Sequence, residues 1–136
     1  MSQDIGDAKA FIADLVARSR AAQKQIEHYS QEQVDALIRA MVWSVARPGM
    51  AEEIAQFTID ETELGNYDGK FLKIQRKTRA TLLDIIHDKS VGIIEEYPER
   101  NIRVLAKPLG VIGALAPSTN PEATPVIKGI HAVKGR

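Results

Sequence analysis

Cysteine is missing from all 136 residues, so disulfides, thiolate metal sites and cysteine nucleophiles are excluded within this chain. Neither charge sign is in excess, because 18 basic residues balance 18 acidic ones. That balance implies no general attraction to nucleic acid or to an anionic membrane. Long apolar runs are lacking too, and no stretch approaches the roughly 20 residues that a membrane span needs. The opening segment carries Asp4 and Asp7 and has no basic stretch ahead of an apolar core, so it does not read as a secretory signal. A cytoplasmic location is the expectation. There are no internal repeats and no low-complexity tracts.

What is present is ordinary globular material, 44% apolar and 26% charged, at a length that suits one domain. Ile5, Ala8, Ile12, Leu15, Ala22 and Ile26 recur at helical spacing, with Phe11 and Val16 widening the stripe. Ser30 and Gln33 have the form of a capping box, in which each side chain satisfies a free backbone donor. Val34, Leu37, Ile38, Met41, Val42 and Val45 then make one apolar face, and Trp43 reads as core beside it. Pro48-Gly49 ends that helix. A third helix is predicted over residues 50–64, stopped by Gly65 in the C′ position. A fourth spans residues 68–87, with Phe71, Ile74, Leu82 and Ile85 inward.

From Ser90 the pattern changes to short β-type segments. Residues 91–94 are an apolar run closed by Glu95-Glu96 and Tyr97-Pro98, and residues 102–106 put Arg103 and Val104 on opposite faces. Residues 111–116 hold no polar side chain, as expected for a central parallel strand covered on both faces. Gly110 and Gly113 lack a third glycine at dinucleotide-fingerprint spacing, so they read as strand glycines that permit close packing. Pro117-Ser118-Thr119-Asn120-Pro121 is a loop. Val126, Ile127, Ile130 and Val133 resume helical spacing, with Pro125 at N1 behind Thr124, or a start at Pro121, and Gly135 as a closing cap. The fold class is therefore α/β and incomplete: one domain over 1–136, helical over 1–89 and strand-loop-helix over 90–136. A parallel sheet cannot consist of one strand, so the second strand of the βαβ unit is expected beyond residue 136.

Residue chemistry alone makes Asn120 a turn or helix-cap residue. Lys70, Lys73, Arg76, Lys77 and Arg79 read as a solvated helix face, with attraction of a phosphate or CoA as the alternative. His28, His87 and His131 show no ligand spacing, and no metal site is expected. Glu61, Glu63, Glu95 and Glu96 have no visible partner that would make an acid/base pair.

The segment KPLGVIGALAPSTNPEATPVIKGIHAVKGR, from Lys107 onward, resembles the CoA-acylating branch of the aldehyde dehydrogenase superfamily. That branch has Pro-x-Thr-Asn-Pro here, where the hydrolytic branch has Pro-Trp-Asn-Phe-Pro. Upstream, IDETELGNYDGKFLK is similar to the family's Glu-Glu-Thr-Gly-x-Gly segment and lysine-containing helix, departing from it at Glu63-Leu64-Gly65-Asn66. The resemblance implies an N-terminal piece of a Rossmann-like cofactor-binding domain. It implies NAD or NADP as cofactor, CoA as co-substrate, a small aldehyde as substrate and a homo-oligomer, with residues 101–107 similar to a segment of an inter-subunit sheet. By the same resemblance Asn120 is the catalytic oxyanion donor, and Leu115, Ala116, Pro117, Ser118 and Thr119 lie beside the nicotinamide half of the cofactor. The family's catalytic cysteine lies far downstream, so this chain alone is expected to be inactive. A non-enzymic helical interaction or oligomerisation protein derived from the family is the alternative.

Overall fold

Val34, Ile38, Val42 and Ala46 recur every four residues and form the buried seam of helix α2 (Gln31–Ala46). In a computed structural model, residues 2–136 are described, with side chains from residue 7 onward, so Ile5 of the first stripe lies outside the described side chains. The α2 start is the predicted capping box: Gln33 N–H donates to Ser30 Oγ at 3.3 Å, and Ser30 N–H donates to Gln33 Oε1 at 2.9 Å. The Ser30 hydroxyl also donates to Glu32, which holds that exposed carboxyl below its usual range. Around the seam, Ile38, Val42 and Ala46 pack with Ile86 and Ile130.

The remaining helices are α1 (Ser2–Ile26), α3 (Met50–Thr62), α4 (Tyr67–Lys73), α5 (Arg79–Ile85) and α6 (Thr124–Gly135). The predicted fourth helix is thus broken by a π-helical turn over Ile74–Thr78 that joins α4 to α5. Ala51 and Ala55 of α3 pack on Ile74 in a second small core. The Ala46 carbonyl, left without an intrahelical partner at the α2 end, accepts from Gln75 Nε2 at 2.9 Å and from Arg79 Nη2 at 3.2 Å. Helix α3 stops two residues sooner than predicted. Thr62 Oγ1 accepts the Leu64 N–H at 3.2 Å, and Glu63, not a glycine, takes the left-handed cap at φ 54°.

Strands β1 (Gly92–Tyr97) and β2 (Ile102–Ala106) form an antiparallel hairpin closed by a turn at Pro98–Arg100. Strand β1 runs through Glu95 and Glu96, which do not close it, and both acids find partners: Tyr97 donates to Glu95 at 2.6 Å and Arg103 pairs with Glu96 at 2.8 Å. A polar knot ties the hairpin to the helices. Gln31 Oε1 accepts the Ser90 and Val91 N–H groups, and Arg136 donates to the carbonyls of Glu27, Ser90 and Ala106. Lys134 donates to Asp35 at 2.7 Å and to the Ile86 carbonyl at 3.3 Å.

The structure departs from the sequence expectation at four further places. Residues 111–116 form no strand and stay largely exposed, because the two-stranded hairpin is the only sheet among the described residues and offers them no ladder. A Cβ built on Gly110 or Gly113 meets nothing within 4 Å, so neither serves close packing; Gly110 instead takes a left-handed φ of 84°. Trp43 is 61% exposed, since it sits one residue past Val42 and so about 100° around the helix from the seam. Phe11, Ile12 and Leu15 of the α1 stripe face solvent, and only the end of α1, at Ala22 and Ile26, lines a groove against α2 and α6. No helix among the described residues is long and apolar enough to cross a membrane.

The seam predicts a contrast between two large side chains on one helix. Ile38→Ala should destabilise the 136-residue chain by about 2–5 kcal/mol through the cavity it opens. Trp43→Ala should change stability by no more than about 0.5 kcal/mol. Denaturant titration followed by far-UV circular dichroism measures both, and equal effects would place Trp43 in the core after all.

Candidate functional site

The backbone between Pro117 and Pro121 folds into a turn in which Asn120 N–H donates to the Pro117 carbonyl at 3.1 Å. The Thr124 N–H then donates to the Asn120 carbonyl at 3.3 Å, so the loop runs straight into α6. Ala123 takes the cap position, Thr124 is the first helical residue and Pro125 sits in the first turn, one residue off the predicted placement. The Asn120 side chain caps nothing. Its Oδ1 accepts from Lys73 Nζ at 2.5 Å, and its Nδ2 donates to Thr119 Oγ1 at 3.3 Å.

Beneath the loop lies a cluster of ionised groups. Lys70 is only 4% exposed and donates to the Thr119 carbonyl at 2.8 Å. Its Nζ is 3.4 Å from Glu122 Oε2, and Lys73 Nζ is 3.1 Å from Glu122 Oε1. The Glu122 side chain has 0% of its surface exposed. Burying such a carboxylate unpaired would cost several kcal/mol, so two ammonium groups around it are a physical requirement of the packing.

Local sequence explains why the lysines can reach. Asn66 starts α4 by accepting the Gly69 N–H on its Oδ1 at 2.8 Å. Lys70 and Lys73, three residues apart, then share one helix face. Gly65 lies at φ 86°, and a Cβ there would come within 3.3 Å of Lys70 Cε, so a glycine both allows that turn and leaves room for the lysine stem.

The six loop residues singled out in the sequence are dispersed over different surroundings. Leu115, 94% exposed, and Ala116 border a groove of about 310 Å³ against the first turns of α6, beside Thr124, Pro125, Lys128 and Gly129. Pro117 and Ser118 form the exposed face of the turn. Thr119 borders a separate pocket of about 330 Å³ with Gly65, Asn66, Lys70 and Lys73. Asn120 is half-buried and lines neither of them.

The sequence pattern puts Lys70 and Lys73 on a solvated face and gives Glu122 no role. The first is corrected for both lysines, which turn toward the loop; Arg76, Lys77 and Arg79 keep exposed positions. The available signal was the three-residue lysine spacing together with a lone acid between two prolines. Nothing in the linear order joins positions 52 residues apart.

No protein-family model matches the chain. It is 40% identical over 125 residues to sulfoacetaldehyde dehydrogenase of an Acholeplasma species, covering 92% of this chain and 26% of that protein. It is 43% identical over 125 residues to succinate-semialdehyde dehydrogenase (acetylating) of Clostridium kluyveri, covering 92% of this chain and 27% of that protein. The crystal structure of an acetylating aldehyde dehydrogenase from Geobacillus thermoglucosidasius superposes with a TM-score of 0.87 at 31% identity. That match covers 93% of this chain and 27% of the other. The chain thus spans about a quarter of the length of the curated relatives it matches.

Removing the carboxylate strands two cations, whereas removing one cation leaves the other pair in place. Glu122→Ala should therefore destabilise by about 3–5 kcal/mol, more than Lys73→Ala, which acts at the better solvated partner. Hydrogen exchange at the Asn120 and Thr124 amides should accelerate most in the Glu122 variant. Equal protection in both variants would mean that the loop is held by its prolines and not by the charges.

Proposed function

We propose, on the premise that this chain corresponds in sequence and fold to the N-terminal region of the acylating aldehyde dehydrogenases, that it forms part of an enzyme converting an aldehyde, CoA and NAD(P)+ to an acyl-CoA and NAD(P)H. The observation that carries the reading is the anchored turn: a half-buried asparagine whose amide oxygen is taken by an ammonium and whose amide nitrogen is turned away from it.

When a thiolate adds to an aldehyde carbonyl, negative charge develops on the oxygen. Asn120 Nδ2 is suited to donate to that oxygen, and one such preorganised donor is typically worth about 2.7–4 kcal/mol of transition-state stabilisation. The charge bookkeeping favours the same outcome. Two ammonium groups and one carboxylate leave a net positive charge behind the turn, where it opposes the desolvation of an oxyanion.

The nucleophile has to come from outside these residues, which contain no cysteine. The chain contributes the donor and one wall of the cofactor site, and we expect the 136 residues alone to be inactive. The groove bordered by Leu115, Ala116 and Gly129 is mostly apolar and carries one cation, Lys128, which suits a flat ring with a phosphate nearby, as in the nicotinamide-bearing half of a dinucleotide. Bound there, NAD(P)+ would accept the hydride. Pro117, Ser118 and Thr119 would shape the same edge of the site. A homo-oligomer is part of the reading, supported by a hairpin whose two outer edges have free backbone groups.

Two measurements test it. The purified 136-residue chain should reduce no NAD(P)+ with aldehydes and CoA, and turnover that persists after removal of contaminating dehydrogenases would overturn the fragment reading. In the full-length enzyme carrying this segment, Asn120→Ala should lower the rate of the acylation step by one to three orders of magnitude with little change in cofactor affinity. Loss of cofactor binding with normal single-turnover chemistry would make Asn120 a purely structural residue.

A further inference from the structure

The Asn120 amide has one orientation that its surroundings permit. A lysine ammonium carries three donors and no acceptor, so the group facing Lys73 must be the carbonyl oxygen of the amide. The structure has this arrangement, with Lys73 Nζ donating to Asn120 Oδ1 at 2.5 Å. Lys73 is itself held by Glu122, 3.1 Å away, and Glu122 is held by Lys70, which also donates to the Thr119 carbonyl. The chain of contacts therefore runs from a fully buried carboxylate, through two ammonium groups, to both the backbone and the side chain of the turn. Its far end is Asn120 Nδ2, whose partner within the chain is the neutral Thr119 hydroxyl at 3.3 Å. An N–H of that group is left to donate elsewhere.

We propose that Lys73 is a positioning residue for the reaction. Resting on the reading of Asn120 as oxyanion donor, Lys73 locks the amide so that Nδ2 faces the reacting oxygen, and its charge polarises the amide into a stronger donor. Glu122 and Lys70 set the position of Lys73 and of the turn. A cation hydrogen-bonded to the carbonyl of an amide draws electron density from the nitrogen, and bonds in such a chain strengthen one another. The device differs from a helix cap or a generic salt bridge in one checkable respect: its effect on rate passes through Asn120 and vanishes when Asn120 is removed.

A double-mutant cycle in the full-length enzyme carrying this segment reads that dependence. Lys73→Met should lower single-turnover NAD(P)H formation by about tenfold or more, leaving the aldehyde KM and the cofactor Kd within about twofold. Asn120→Ala should lower it further, and the double variant should be no slower than Asn120→Ala alone. Lys73→Gln, which keeps an N–H donor and loses the charge, should fall between wild type and Lys73→Met, and it serves as the second arm if Lys73→Met does not fold. Multiplicative losses in the cycle, or a cofactor Kd that rises in step with the rate loss, would overturn the proposal.

A readout independent of activity accompanies the cycle. In the NMR spectrum of the 136-residue chain, the Asn120 side-chain NH2 pair should be displaced from the ordinary asparagine region and should return toward it in Lys73→Gln. An unchanged NH2 pair would overturn the orienting role. If Asn120→Ala leaves the chemistry untouched while the NH2 pair still responds to Lys73, the orienting contact stands and the oxyanion assignment is what fails.

Discussion

A carboxylate with no exposed surface governs this part of the molecule. Glu122 is stable in its position only while Lys70 and Lys73 stand against it, because an unpaired charge there would cost several kcal/mol. That requirement brings the α4 face under the turn at residues 117–121. It also fixes where α6 begins, two residues further on, and so where Ile130 enters the core beside Ile38 and Val42. The aliphatic core supplies most of the driving force through burial, at roughly 25 cal/mol per Å² of apolar area. The ion cluster decides which surfaces meet.

On the proposed reading, the same cluster would link stability to chemistry. Its three charged groups leave one net positive charge beside a half-buried amide, an arrangement that favours negative charge appearing on the outer side of the turn. The π-helical turn follows Lys73 directly, with the Thr78 hydroxyl returning to the Ile74 carbonyl at 2.6 Å. Wider turns of this kind recur at functional sites. Here it lies where the α4 face that carries the lysines gives way to the face that packs on α3 and receives the α2 end. The groove at Leu115 and Ala116 remains open beside the first turns of α6.

How much was legible follows the range of the interaction involved. The capping box at Ser30 and Gln33, the period of α2 and the proline-glycine stop at Pro48-Gly49 are decided within a few residues, and all are found as expected. Strand β2 was expected over the residues it occupies, but β1 was cut short, because Glu95 and Glu96 look like terminators until Tyr97 and Arg103 are seen to pair with them. Residues 111–116 have the composition of a buried strand without the neighbour that would make one. Trp43 was misplaced because a four-residue seam is narrower than the apolar stripe drawn through it. In the candidate site, Asn120 was singled out by the resemblance of its loop, whereas the contacts of Lys70, Lys73 and Glu122 beneath it could not be read from the sequence.

The sequence by itself determined the spans of α1, α2 and α6, the α2 capping box and the stop after it, strand β2, and the likeness to the acylating aldehyde dehydrogenases, since these rest on local periodicity, backbone chemistry and a contiguous stretch of residues. Only the tertiary structure decided that two lysines on α4 turn inward, that a lone glutamate between prolines receives them, and that the Asn120 amide is held by one of them. Composition and spacing record what each side chain can donate or accept. Which partner it meets depends on the cost of leaving a charge buried alone, and that cost arises only when segments some 50 residues apart are packed together.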